Sequence, residues 1–315
     1  MSTTASLLQA IFPVFALLSV GFLAERFGWL KPSYAEGLNR FVYYLAFPIL
    51  LFIVIARAPH AEILNVGFLG AWTVAVLVGY FVAAAVSFTW RGGGWEPMAV
   101  RGFNTACGNT SMVGIPLCVA AFGKGAALLA VMATIANAVV GVSITVMFIE
   151  ASRRQAAVSR TLLVGSIAWS LAKNPLIMAF ILGFACAVGY GAPPPAVASL
   201  CDLLGGSAIP CSLVATGLFF AGHVRRMVFS EASLFTFIKL IVQPLIGWAV
   251  AHYLFGVEGQ QLAILVILSA MPLASTCFVI AQRFDVLTEE TSSMMIISTI
   301  ASLATLSVLL GWFGG

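Results

Sequence analysis

Apolar residues fall in long blocks along this chain, separated by short polar joints. A helix needs about 20 mostly apolar residues to cross a bilayer core. Ten stretches have that character: roughly 5–24, 38–56, 66–90, 98–122, 126–149, 174–190, 196–221, 234–255, 260–282 and 290–312. They predict an all-α integral membrane protein with ten transmembrane helices. The first stretch runs on too far for a signal core and reads as a retained span. Between the fifth and sixth stretches lies "EASRRQAAVSRTLLVGSIAWSLAK", basic and then apolar, and too short to cross. It predicts a cytoplasmic loop and an interfacial helix over 151–173. The chain then divides into a first five-helix repeat (1–150), that connection (151–173) and a second five-helix repeat (174–315).

Two stretches depart from the pattern. The fourth contains "GNTSMVGIPLCVAAFG" and the ninth "ILSAMPLASTCFVIAQRF", each with a proline near its middle among small and hydroxyl residues. The fifth and tenth are also related, with "MATIANAVVGVSITV" against "ISTIASLATLSVLLG". An odd number of spans per half makes the second half enter from the opposite face. That is an inverted repeat, an organisation typical of secondary transporters. Breaks are expected at Gly114–Pro116 in the fourth span and at Pro272 in the ninth. Proline removes a backbone donor and crowds the preceding turn, and freed carbonyls cost several kcal/mol each in lipid. Such breaks survive only against protein or a wet cavity. A half-helix that restarts there offers unpaired N–H groups and about half a positive charge, which suits an anion. Asn109, Thr110, Gly114 and Pro116 from the fourth span, and Met271, Pro272 and Ser275 from the ninth, are therefore the candidate substrate-binding residues. Asn137 of the fifth span joins them, with interhelical hydrogen bonding as its bland alternative. Gln243, Thr299 and Ser302 also lie at depth. Lys239 is expected to snorkel to the interface, and Asp202 to be a water-exposed carboxylate near the outer face.

Composition agrees. Of 315 residues, 61% are hydrophobic and 8% charged, against about 25% charged in soluble domains. With the N-terminus outside, 12 of the Lys and Arg residues fall at cytoplasmic ends and 2, Arg57 and Lys124, at outer ends, a positive-inside bias. The net charge of +4 has no basic run behind it, so nucleic acid is not a partner. Six scattered cysteines without CxxC and three separated histidines give no metal site. Catalytic signatures and a P-loop are absent from the sequence, which argues against an enzyme or an ATP-driven pump.

"GNTSMVGIPL" resembles the fourth-span signature of the auxin efflux carrier family, which includes plant auxin exporters and bacterial permeases for malonate-like acids. The resemblance continues through "KNPLIMAFILGF" (173–184), "PCSLVATGLFFAG" (210–222), "FIKLIVQPLIG" (237–247), "AMPLASTCFVIAQRFDV" (270–286) and "STIASLATLSVLLG" (298–311). It implies ten helices in two inverted repeats, the architecture of the bile acid, arsenite and riboflavin transporter superfamily. A scaffold of spans 1, 2, 6 and 7 would hold a transport domain of spans 3–5 and 8–10, moving like an elevator, often in a homodimer. It matches the family's Asn-Thr pair to Asn109 and Thr110 and its break prolines to Pro116 and Pro272. The long hydrophilic loop of many plant members is absent. That indicates a bacterial-type member in the cytoplasmic membrane and argues against auxin as substrate. The expected function is a secondary transporter of a small organic anion, a carboxylate, working by alternating access without a cofactor; Na⁺ and H⁺ both stay open as coupling ions. Its rivals are a Na⁺-coupled carrier of amphipathic steroid-like acids and a ligand-binding sensor without flux.

Overall fold

The computed structural model describes residues 3–31, 33–57, 65–91, 94–123, 125–153, 175–189, 193–223 and 228–313. These are helical almost throughout, and among them no strand forms beyond one isolated bridge between Gly108 and Leu273. In chain order the helices are α1 (Thr3–Arg26), α2 (Tyr34–Ala56), α3 (Val66–Arg91), α4 (Trp95–Ala106), α5 (Thr110–Phe122), α6 (Ala126–Arg153) and α7 (Pro175–Gly189). After them come α8 (Pro195–Gly206), α9 (Ala208–His223), α10 (Phe229–Leu254), α11 (Gly259–Ser269), α12 (Ser275–Phe284) and α13 (Thr288–Phe313).

Among the described residues, six helical runs are long and apolar enough to cross a membrane: α2, Val66–Thr89 in α3, α6, Pro195–Gly222 across α8 and α9, α10, and α13. Shorter apolar helices lie between them, including α5 and α11. Large apolar side chains such as Trp312, Leu203 and Phe12 stay exposed on the outer surface, as a lipid-facing surface requires. Of the loop and interfacial helix expected over 151–173, residues 151–153 are the end of α6 and residues 154–173 lie outside the described residues.

Packing gathers the helices into two sets. In the first, α1 lies along α9, while α7, α8 and α9 lie along α2. The α1–α9 contact is a backbone contact. Gly21 and Gly217 face each other, and a Cβ on either would overlap the opposite helix backbone at Val214 or Leu18. Small residues allow this close approach where lipid supplies no hydrophobic drive for association. In the second set α3 packs on α4 and α10, α4 on α6, and α13 on α10 and α12. The sets meet where α1 and α9 touch α5 and α13.

Pro116 does not break its helix, contrary to the expectation from sequence. Pro48, Pro116 and Pro244 each follow a five-residue π-turn: Val42–Ala46, Thr110–Gly114 and Ile238–Val242. In each case the residue before the proline donates five positions back, Phe47 to Val42, Ile115 to Thr110 and Gln243 to Ile238. The widened turn relieves the clash of the ring with the carbonyl four residues earlier. The interruption of the fourth stretch comes earlier, at residues 107–109.

Candidate functional site

Two interruptions in the chain meet and pair. The first separates α4 from α5: Cys107 is extended at φ −92°, ψ 99°, and Asn109 caps the next helix. The second, residues 270–274, separates α11 from α12 and ends on the extended Ala274. The two run antiparallel. Asn109 N donates to Pro272 O at 2.7 Å, Ala274 N donates to Cys107 O at 3.3 Å, and Gly108 faces Leu273. The Leu273 amide donates to Ser298 Oγ of α13 at 3.1 Å. Each broken rod thus satisfies backbone groups of the other, several of which would cost a few kcal/mol apiece if left unpaired away from water.

Gly108 makes the crossing sterically feasible. A Cβ there would lie 3.1 Å from Lys239 Nζ, 3.1 Å from Met271 Cβ and 3.2 Å from Met271 O. Gly114 serves the same end one turn into α5, where a Cβ would come within 2.7 Å of Leu268 at the end of α11. Four helix ends therefore converge. The carboxyl ends of α4 and α11 each bear about half a negative charge, and the amino ends of α5 and α12 about half a positive one.

The candidate residues fall around this point with different commitments. Asn109 Oδ1 accepts the Met112 amide at 3.0 Å, capping α5. Its Nδ2 has no hydrogen-bond partner among the described residues and is left to donate. Thr134 Oγ1 donates to Ala130 O at 2.8 Å, so Thr110 Oγ1 is the donor in the 2.9 Å contact between the two hydroxyls. Met271 and Pro272 are buried in the crossing, while Ser275 is half-buried at the start of α12, which begins without a side-chain cap. Asn137 sits one turn from Thr134 and accepts from Trp72 Nε1 of α3 at 3.1 Å, and its buried Nδ2 has no partner among the described residues. Pro116 lies in the second turn of α5, away from the break.

Two basic residues differ from the expectation. Lys239 does not snorkel. It is fully buried in α10, and its Nζ donates at 3.0 Å to the carbonyl of Ser269, the last residue of α11. The usable signal was Gln243, four positions on, which puts two polar residues on one helix face. Its amide nitrogen donates to Ala75 O of α3 at 3.3 Å. Arg101, one of the basic residues counted at the cytoplasmic ends, is not exposed there either. Buried in α4, it forms a paired contact with Glu290 of α13 at 2.8 and 2.7 Å. Asp202, in contrast, is half-exposed as expected and pairs with Arg57 at 2.8 Å through both oxygens.

Comparison with known proteins matches residues 6–310 to the family described as "Membrane transport protein". A Rhizobium meliloti protein named "Putative malonate transporter" is 28% identical over 97% of this chain and 95% of its own length. Two further relatives, named as uncharacterized transporters, come from archaea. The one from Methanothermobacter thermautotrophicus is 23% identical over 95% of each chain. The one from Methanocaldococcus jannaschii is 22% identical over 97% of this chain and 98% of its own. Near full-length coverage by a transporter family makes this an integral membrane transport protein and not an enzyme. The chain belongs to the membrane transport protein family, that of the auxin efflux carriers, as the motifs of its broken stretches indicate.

Proposed function

We propose that this protein is a secondary transporter that carries a small organic anion, a mono- or dicarboxylate, across the bacterial cytoplasmic membrane by alternating access. On this reading α4–α5 and α11–α12 each count as one interrupted span. The chain then crosses ten times, in inverted repeats over 1–150 and 174–315, with both termini outside. The observation that carries the proposal is the antiparallel pairing of the two interruptions, with α5 and α12 starting from the same crossing. Opposed entry of two similar broken rods is what an inverted repeat would produce. The name of the Rhizobium relative supports a carboxylate as cargo.

In this mechanism the Asn109 Nδ2 donates to one carboxylate oxygen, and the uncapped first amides of α12 receive the other charge-bearing group. Neutral donors bind an anion here because water is largely excluded, which strengthens each contact. The α3–α6 and α10–α13 set would move as a body against the α1, α2, α7–α9 set, with the glycine-sealed α1–α9 seam staying closed.

Proteoliposomes loaded with malonate test this. Counterflow of labelled malonate is expected for the wild type and is expected to fall to background in Asn109→Ala with normal expression and folding. Binding without flux would identify a sensor. Unchanged flux in the variant would remove Asn109 from the site.

A further inference from the structure

The mechanism above leaves one group unused. Lys239 Nζ lies against the crossing, 3.1 Å from where a Gly108 Cβ would stand, and donates to Ser269 O. Its side chain is wholly buried, and it has no carboxylate partner among the described residues. The titratable groups beside it are the thiols of Cys107 and Cys277. A lysine in such a place is costly unless something uses its charge.

The helix ends show what its charge does. Two carboxyl ends and two amino ends meet here, and their partial charges sum to about zero. The end of α4 is met by neutral groups: the Ala274 amide and the Cys277 thiol both reach Cys107 O. The end of α11 is met by an ammonium. The lysine's unit charge therefore offsets both half-negative carboxyl ends and leaves the amino ends of α5 and α12 unopposed, making the crossing net positive by about one charge.

We propose that Lys239 is a tethered cation that sets the charge of the crossing and so selects anionic cargo, most strongly dianions. It acts as a positioning residue through the field at the site. This inference rests on the carboxylate-carrier reading and concerns the same site.

The test is equilibrium binding of labelled malonate and of monomethyl malonate to purified wild type, Lys239→Met, Lys239→Gln and Lys239→Arg, with gel filtration as the folding control. One unit charge about 8 Å away, at an effective dielectric of about 20, corresponds to roughly a 30-fold change in affinity for each ligand charge. Lys239→Met and Lys239→Gln are expected to weaken malonate binding by more than the half ester, so that the ratio of the two affinities falls by about that factor. Lys239→Arg is expected to retain most of the preference. Equal weakening for both ligands, or malonate affinity within about threefold of wild type in a folded neutral variant, would overturn the inference. So would failure of both neutral variants to fold beside a folded Lys239→Arg, because the lysine would then serve the break alone. Absence of malonate and half-ester binding by the wild type would instead sink the carboxylate reading, and this inference with it.

Discussion

Arg101 and Lys239 are both buried cations on helices that pack at the interruptions, yet they are treated in opposite ways. Arg101 is fully matched. Glu290 takes two of its nitrogens, Ser87 Oγ lies 3.3 Å from a third, and Phe235 lies under the guanidinium at 5.2 Å. The pair is neutral overall and ties α4 to α13. Lys239 meets a backbone carbonyl and leaves its charge in the protein. A planar fork suits bidentate pairing, whereas an ammonium on a flexible stem suits a single point of contact. On the proposed reading, burial of a charge serves assembly when it is paired, as at Arg101, and serves a site when it is not, as at Lys239.

The sharpest way to break the comparison is Glu290→Ala, which strands Arg101 without a counter-charge. Stability in detergent is expected to fall by about 3–5 kcal/mol, measured by chemical unfolding. Replacing both residues, as Arg101→Met with Glu290→Leu, is expected to cost far less. Equal losses would mean that the pair is not the unit. Lys239→Met comes next, with an expected loss below about 3 kcal/mol, the upper worth of a hydrogen bond to a charged group, since its removal also removes a buried charge. A loss matching that of Glu290→Ala would assign the lysine to the same structural class as Arg101. Asn109→Ala removes the cap on Met112 and is expected to cost about 1 kcal/mol, while transport falls to background. Its small stability cost beside a complete functional loss would separate site residues from assembly residues. Arg57→Gln breaks the half-exposed pair with Asp202 and is expected to cost less than about 1 kcal/mol. A larger effect would show that the outer face is less wet than the exposure of both side chains implies.

Much of the fold was legible in the chain because the bilayer demands length and apolarity in each crossing element, and both are local properties. The stretches at 66–90, 126–149 and 290–312 fall on α3, α6 and α13 with ends shifted by at most a few residues. The interrupted pair was legible too, because the fourth and ninth stretches each carry a proline near the middle among small and hydroxyl residues. The break at Pro272 lies where the sequence places it, inside residues 270–274, but the position of the first break was not legible. Pro116 looked like the break, but the residue before a proline can donate five positions back, and a π-turn then carries the helix through. Residues 107–109 carry no proline and become a break only because the second interruption lies alongside to accept and donate hydrogen bonds.

The amino-acid sequence by itself determined the membrane setting, the helical class, the family and the two segments whose interruptions cross, since each follows from patterns within one stretch or from ordered motifs along the chain. The tertiary structure alone decided where the helices stop, that Asn109 commits its oxygen to a cap and keeps its nitrogen, and that Lys239 turns inward to the end of α11. Those outcomes depend on which backbone groups of distant segments come within hydrogen-bonding reach, and a lysine reads the same in the chain whether it reaches for water or for a buried carbonyl.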